Sequence, residues 1–507
     1  MGTEVELKLG LSASALRALK RHPLITDAER AARTATLIST YFDTPDQRLA
    51  AERVSVRTRK QGRRLLQTVK GDARSSSGLS VRPEWEQAYR GEFDFAAVDD
   101  ARIRRLLDAH ADALEPIFVT EFRRETFRCS PHAEASVLVM IDHGTITAGG
   151  RTTPICEIEL ELERGHAPDL LQLAATLAHD VALRPINESK AARGLRLFHD
   201  AKQKPQRAGP SPLGAGDSPL GAFRRIAEDC LDQWQANADG AAVDHAPEFV
   251  HQIRVSLRRL RSALKLFEPA LPADWVARWS TEFSNAADEL GEARDIDVLH
   301  EELIVPILAD PLCPAQVQEL NEAVVAARNR AREHVRANMD GTEQGRRMLS
   351  FAAELAKLEA NPLDASADLA TFARLQLDFL RKRARKRWRK ARGGDIAELH
   401  ALRISLKKLR YAIEFFSPLF PRKPVKRFIA KLARAQEHLG YLNDIEVGNQ
   451  RMLQWAGDNP SLLRAASYVA GWHAAMAAQV RLQVLPEIAA VLDDGPPWRR
   501  AGRARPS

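Results

Sequence analysis

The sequence predicts a mostly antiparallel α+β domain followed by an all-α domain. Three observations predict it. Before residue 200, short segments alternate charged and apolar side chains with period two. Residues 201–218 are rich in Pro, Gly, Ser and Ala and read as a linker. Beyond them, Leu, Ala and Arg recur at three-and-four spacing, and two motifs repeat at one shared offset.

Taken in order, Glu4-Val5-Glu6-Leu7-Lys8, Val54-Ser55-Val56-Arg57-Thr58-Arg59 and Glu157-Ile158-Glu159-Leu160-Glu161-Leu162 are the clearest strands. Helices are expected near 12–21 and 169–179. In the second half, breakers cluster at Pro269–Pro272, Pro306–Pro314, Gly393-Gly394 and Pro418–Pro424. His251-x-x-Arg254-x-x-x-Arg258-Arg259-Leu260-Arg261 recurs as His400-x-x-Arg403-x-x-x-Lys407-Lys408-Leu409-Arg410, an offset of 149. Leu290-Gly291 with Asp295-Ile296 recurs as Leu439-Gly440 with Asp444-Ile445 at the same offset. The boundaries expected are 1–200, linker 201–218, and 219–500 divided into units 219–365 and 366–500.

Charge is placed unevenly. Residues 1–200 hold 29 basic and 29 acidic side chains, so the net +8 of the chain lies in the remainder. A basic helical domain implies an anionic partner. No N-terminal leader pattern and no apolar run of membrane length is read, so no membrane partner is expected. Four scattered cysteines without CxxC spacing imply a reducing, cytoplasmic setting and no cysteine zinc site.

On a strand, Glu4, Glu6 and Lys8 share one face. So do Arg57 with Arg59, Arg82 with Glu84 and Glu86, and Glu157 with Glu159 and Glu161. A sheet closed with these faces inward makes a tunnel lined by both signs, its apolar outside covered by helices. Carboxylates would hold a hard cation, Mg²⁺ or Mn²⁺. Arg and Lys would neutralise phosphate oxygens.

The first domain resembles the CYTH, or triphosphate tunnel metalloenzyme, family. The resemblance rests on ExExK at 4–8, Tyr41-Phe42-Asp43-Thr44-Pro45-Asp46, Val56-Arg57-Thr58-Arg59, Thr68-Val69-Lys70-Gly71, and Arg82-Pro83-Glu84-Trp85-Glu86. It continues through Phe122-Arg123-Arg124-Glu125, Ile141-Asp142-His143-Gly144, the 156–162 strand, and Ser189-Lys190-Ala191-Ala192-Arg193-Gly194. It implies a closed tunnel and metal-dependent hydrolysis of inorganic triphosphate. Glu4, Glu6, Asp142, Glu157, Glu159 and Glu161 are the implied metal carboxylates. Lys8, Arg57, Arg59, Lys70, Arg82, Arg124, Lys190 and Arg193 are the implied phosphate contacts. Glu4, Glu6, Lys8 and Glu84 are the implied catalytic set. Arg123 and Arg124 face opposite ways on a strand, and the motif favours Arg124.

In the helical half, His251, Arg254, Arg258, Arg261 and Lys265 form one stripe, and Ile253, Leu257, Leu260 and Leu264 the apolar stripe beside it. His400, Arg403, Lys407 and Arg410 repeat the first, and Leu402, Leu406, Leu409 and Ile413 the second. Like charges at this spacing repel, so a polyanion is a natural counterpart. These motifs resemble the CHAD domain, which implies two pseudo-symmetric four-helix bundles and a basic groove for inorganic polyphosphate, including polyphosphate granules. Asp295 and Asp444 read as orienting residues. The run 381–390 could extend the groove or bind nucleic acid without specificity, and no nucleic-acid motif is recognised. The alternatives are a polyphosphate adaptor without turnover, or a CYTH enzyme acting on thiamine triphosphate or ATP.

Overall fold

A computed structural model describes residues 2–72, 74–76, 79–214, 216–243, 246–339, 342–359 and 368–499; of Glu4 only the backbone is described. Its contacts divide the chain into two compact units. The first holds 1–206 together with 231–242 and 338–358; the second holds 207–230, 243–337 and 359–507.

The first unit is built on strands β1 (Gly2–Gly10), β2 (Glu29–Asp43), β3 (Ser55–Gln61), β4 (Arg64–Lys70), β5 (Arg74–Ser76), β6 (Leu79–Ala88), β7 (Glu115–Cys129), β8 (Ser136–Ala148), β9 (Arg151–Arg164) and β10 (Arg184–Pro185). Their order is β10-β1-β9-β8-β7-β2-β3-β4-β6-β5, and β1 also pairs with β6. That last pairing closes eight antiparallel strands into a barrel, with β5 and β10 added outside the ring. Closure removes the sheet edges.

Period two then sorts the side chains. Leu7, Leu9, Ile158 and Leu160 point outward and are fully buried, beneath a helix Ala167–Asp180 that contributes Leu170, Leu173 and Leu177. Val56, Val69 and Trp85 are covered by Ile103 and Leu107 of a helix Ala101–His110. At about 25 cal/mol per Å² of apolar surface, these outer layers hold the barrel closed around its charges.

One end of the interior is not charged. Leu37, Tyr41, Phe118, Phe122, Ile146 and Ile155 fill it and pack against Ala191 and Leu195 of a helix Lys190–Phe198. Two glycines allow this filling. A Cβ on Gly194 would lie 2.2 Å from the Phe118 ring, and one on Gly144 would lie 2.4 Å from Phe122 Cα. The cavity is what remains above this apolar plug.

Two later stretches complete the first unit. A helix Thr342–Lys357 packs on the Ala167–Asp180 helix so closely that a Cβ on Gly345 would sit 1.6 Å from the Leu183 carbonyl oxygen. Asn237 accepts from the Gln206 amide at 2.9 Å, Gln235 donates to Asn187 at 3.1 Å, and Asp239 is paired with Arg184.

The second unit is all helical, as the sequence predicts. Both apolar stripes are fully buried: Ile253, Leu257, Leu260 and Leu264 on a helix Pro247–Phe267, and Leu402, Leu406, Leu409 and Ile413 on a helix Ile396–Phe415. One helix departs from the expectation of no membrane-length segment. Pro460–Asp493 is long and apolar enough to span a membrane by length and composition. Its Ala465, Val469, Val484 and Ile488 are buried in the helical unit, but only 28% of its most apolar window is.

Candidate active site

Strand register brings the inward charges to common levels, because directly opposed residues in antiparallel strands share a face. Lys8 of β1 stands opposite Glu159 of β9, Glu157 opposite Asp142 of β8, and Asp142 opposite Arg124 of β7. Across the barrel, Arg57 opposes Tyr41 and Thr68, and Lys70 opposes Glu84. All of these but Asp142 and Glu157 line a cavity of about 230 Å³, with Glu6, Arg59, Arg82, Glu161, Phe122, Ser189 and Lys190.

One side is acidic. Asp142, Glu157 and Glu159 are buried, and one oxygen from each lies within 4.8 Å of the others. Arg124 forks onto Asp142 at 2.7 and 2.6 Å and also reaches Glu159. The Lys190 ammonium stands 2.7 Å from Asp142 and 2.9 Å from Glu159 and bonds Glu157 as well, while Arg193 takes the other Glu157 oxygen. Burial opposes the charge on Glu159, but Lys190, Arg124 and Lys8 outweigh it and hold its carboxyl well below the usual range. Burial likewise opposes the charge on Lys190, yet Asp142, Glu157 and Glu159 push its ammonium upward. Three convergent carboxylate oxygens are the kind of donor set a hard divalent cation takes, so the residues fit such an ion. Glu6 is buried and binds Lys8 and Arg82, the latter at 2.7 Å, and Glu161 lines the mouth half-exposed. The Glu4 side chain lies outside the described residues.

The opposite side is cationic. Lys70 pairs with Glu84 at 2.7 Å, and Arg57 lies 3.7 Å from the same carboxylate. Arg59 donates to Ser39 at 3.2 Å. Burial, the larger cause, and the like charges of nearby Arg57 and Arg124, which add to it, push its guanidinium down to about 10. Burial would raise the Tyr41 phenol, but Arg57, Arg59 and Lys70 bring it below its ordinary value.

The structure brings the predicted Glu6, Lys8, Arg57, Arg59, Lys70, Arg82, Glu84, Arg124, Glu159, Glu161 and Lys190 to one cavity, with Asp142, Glu157 and Arg193 bonded behind it. Arg124 faces inward and Arg123 is exposed. Sequence reasoning missed Tyr41 and Phe122 as lining residues. Parity could have found them, since Tyr41 lies two residues from inward Ser39 and Phe122 two from Arg124. Glu86 is exposed and accepts from Thr68 at 3.2 Å.

In the helical unit the two basic stripes meet. Arg258 donates to Tyr411 at 2.7 Å, joining the two repeated helices. Arg254 donates to the Ala287 carbonyl at 2.7 Å and passes over Gly291, whose added Cβ would lie 3.4 Å from its guanidinium. Arg403 passes Gly440 in the same way, at 3.6 Å. The repeated arginine thus lies against the repeated glycine, while Asp295 and Asp444 face Arg254 and Arg403 electrostatically. Burial, then Arg403 and Arg258, push the Lys407 ammonium down to about 7. Burial and Arg294 push His251 down to about 4. Exposed His400 contacts Asn443. Arg410 pairs with Glu414 at 3.2 Å, and Arg261 is exposed. Arg259, adjacent to the stripe, is instead buried against Asp229 at 2.9 Å.

The curated inorganic triphosphatase of Haemophilus influenzae is 32% identical over 260 residues, which is 50% of this chain and 64% of that protein. The match thus spans somewhat less than two thirds of its length. The crystal structure of the CHAD domain from Ricinus communis is 31% identical, with 58% of this chain and 99% of that chain covered at a TM-score of 0.50. A Hippeastrum protein whose structure is described as revealing a dominant triphosphatase activity is 21% identical, covering 40% of this chain and 98% of that chain at a TM-score of 0.30. Two family models match, the CYTH domain over residues 2–195 and the CHAD domain over residues 225–453. The chain therefore carries a CYTH domain followed by a CHAD domain.

Proposed function

We propose that the tunnel hydrolyses inorganic triphosphate to diphosphate and phosphate with a divalent metal, and that the helical half binds inorganic polyphosphate. One observation carries the first part: a buried carboxylate triad, its Glu159 lining the cavity, stands beside Arg57, Arg59, Lys70 and Arg82 around one small cavity. An anion binder alone has no use for the triad. Arg57, Arg59, Lys70 and Arg82 would hold the phosphate chain, and Lys8 and Arg124 would link that wall to the acids. Asp142, Glu157 and Glu159, with Glu6 and the sequence-assigned Glu4, would hold Mg²⁺ or Mn²⁺. Bound there, the metal would neutralise phosphate oxygens and supply Lewis acidity to the displacement. Water would add to the terminal phosphorus, the bridging P–O bond would break, and diphosphate would leave. Such a reaction needs positioning and charge, with no protein nucleophile. Glu84 would act through Lys70 and Arg57, fixing both cations.

The choice of inorganic over organic triphosphate rests on the cavity's two aromatic faces. Arg57 lies 6.0 Å over Tyr41, and Arg124 and Lys190 lie 5.4 and 4.9 Å over Phe122. A thiamine or adenine ring would have to displace a cation to stack there. For polyphosphate, the support is the meeting of two cationic stripes. The free cysteines accord with a cytoplasmic protein.

The test is phosphate release by the full chain from inorganic triphosphate with Mg²⁺, Mn²⁺ or EDTA, beside Glu159→Gln. Metal-dependent release absent from the variant supports the reading. No release with either metal, while labelled polyphosphate still binds, replaces it with the adaptor.

A further inference from the structure

Resting on that reading, we infer that Lys190 is the built-in counter-cation of the carboxylate triad, and that a divalent cation and triphosphate bind together by moving it from carboxylate to phosphate.

The ammonium takes Asp142 Oδ2, Glu157 Oε1 and Glu159 Oε1, one oxygen from each acid. A dication drawing on these three acids needs one oxygen from each as well. An ammonium and a dication cannot both sit among the three acids within bonding distance of each, so one replaces the other. The remaining partners reach mostly other atoms: Arg124 takes Asp142 Oδ1 and Glu159 Oε2 and shares Asp142 Oδ2 with Lys190, and Arg193 takes Glu157 Oε2. They anchor the acids whichever cation sits among them.

Lys190 is suited to the exchange. It is the first residue of its helix, fixed there by the Ser189 side chain, which accepts from the Ala192 amide at 3.1 Å. Its compact charge rides on a flexible four-carbon stem, unlike the planar fork of arginine. It also lines the cavity, beside Ser189 and Phe122, so release from the acids leaves it where phosphate would lie.

The coupling follows. Metal alone would leave a buried ammonium without its counter-charge, which is costly. Triphosphate supplies that charge. Each ligand therefore raises the affinity for the other, beyond any metal–phosphate contact.

The experiment titrates the full chain with Mn²⁺, reading free Mn²⁺ by electron paramagnetic resonance, with and without methylene-bridged triphosphate. Lys190→Met should bind Mn²⁺ alone about tenfold tighter than the parent, and the analogue should strengthen Mn²⁺ binding less in the variant than in the parent. Lys190→Met should also melt below the parent without metal and recover with Mn²⁺. Mn²⁺ affinity in Lys190→Met equal to or weaker than the parent's overturns the inference, as does an undiminished gain from the analogue. If Lys190→Met does not fold, Lys190→Gln is read in its place by the same two comparisons, and no gain in parent Mn²⁺ affinity with the analogue overturns the inference. Parent hydrolysis of triphosphate, measured in parallel, separates this failure from failure of the proposed activity.

Discussion

Lys190 in the tunnel and Lys407 in the helical unit are both lysines withdrawn from solvent, and their neighbours drive them in opposite directions. Burial weakens both ammonium groups. At Lys190 three carboxylates reverse the effect and push it up; at Lys407 the arginines reinforce it and leave the group near 7. The tunnel is an electrostatically completed site: Asp142 and Glu159 pair with Arg124, all three acids with Lys190, and Glu157 with Arg193 as well. The helical cluster is an incomplete one, with Arg258, Arg403 and Lys407 acting on one another. A completed site must exchange partners to admit a ligand, which suits selectivity and turnover. An incomplete site gains whenever any polyanion arrives, which suits retention.

The comparison breaks most visibly if the tunnel's pairs are dispensable. Glu159→Gln and Lys8→Ala should each lower kcat for triphosphate on the order of 10²–10³-fold, read by phosphate release, with far-ultraviolet circular dichroism unchanged. Arg59→Ala should raise KM about tenfold through loss of one phosphate contact. Because Arg59 is buried among like charges, the same variant should melt no lower than the parent, whereas loss of a purely structural arginine would lower the melting temperature. In the helical unit, Arg258→Ala should weaken polyphosphate binding and reduce its salt slope by about one unit.

The smallest effect concerns pH. Lys407 carries its charge below about 7, and a polyanion favours the charged form. Polyphosphate affinity should therefore be several-fold higher at pH 6 than at pH 8.5, and Lys407→Arg should flatten that difference. Stability has the opposite sign. A lysine depressed in the folded state loses its penalty as pH rises through 7, so unliganded protein should melt higher at pH 8.5 than this group allows at pH 6.

Parity made much of the charged wall legible: Glu6, Lys8, Arg57, Arg59, Arg82, Glu84, Glu159 and Glu161 reach the cavity, whereas Glu86 on the same strand parity is exposed and the Glu4 side chain lies outside the described residues. The apolar plug was not legible. On β7 the inward positions run Phe118, Thr120, Phe122, Arg124, changing from apolar to charged along one face, and nothing local marks the change. The repeat revealed the two basic stripes, but not that its glycine lies against an arginine from another helix. Nor did residues 338–358 announce their place. Thr342–Lys357 is an ordinary amphipathic helix, and only Gly345 against Leu183 fixes where it belongs.

That helix sets a schedule for synthesis. The ribosome completes the last strand of the ring at residue 164 and the added β10 at 185, yet a piece of the same unit is encoded only at 338–358. At about 5–20 residues per second, the nascent barrel waits roughly ten to thirty seconds with one flank of its Ala167–Asp180 helix uncovered. Premature termination before codon 358 would release a barrel still missing that cover, exposing apolar surface to proteases and chaperones.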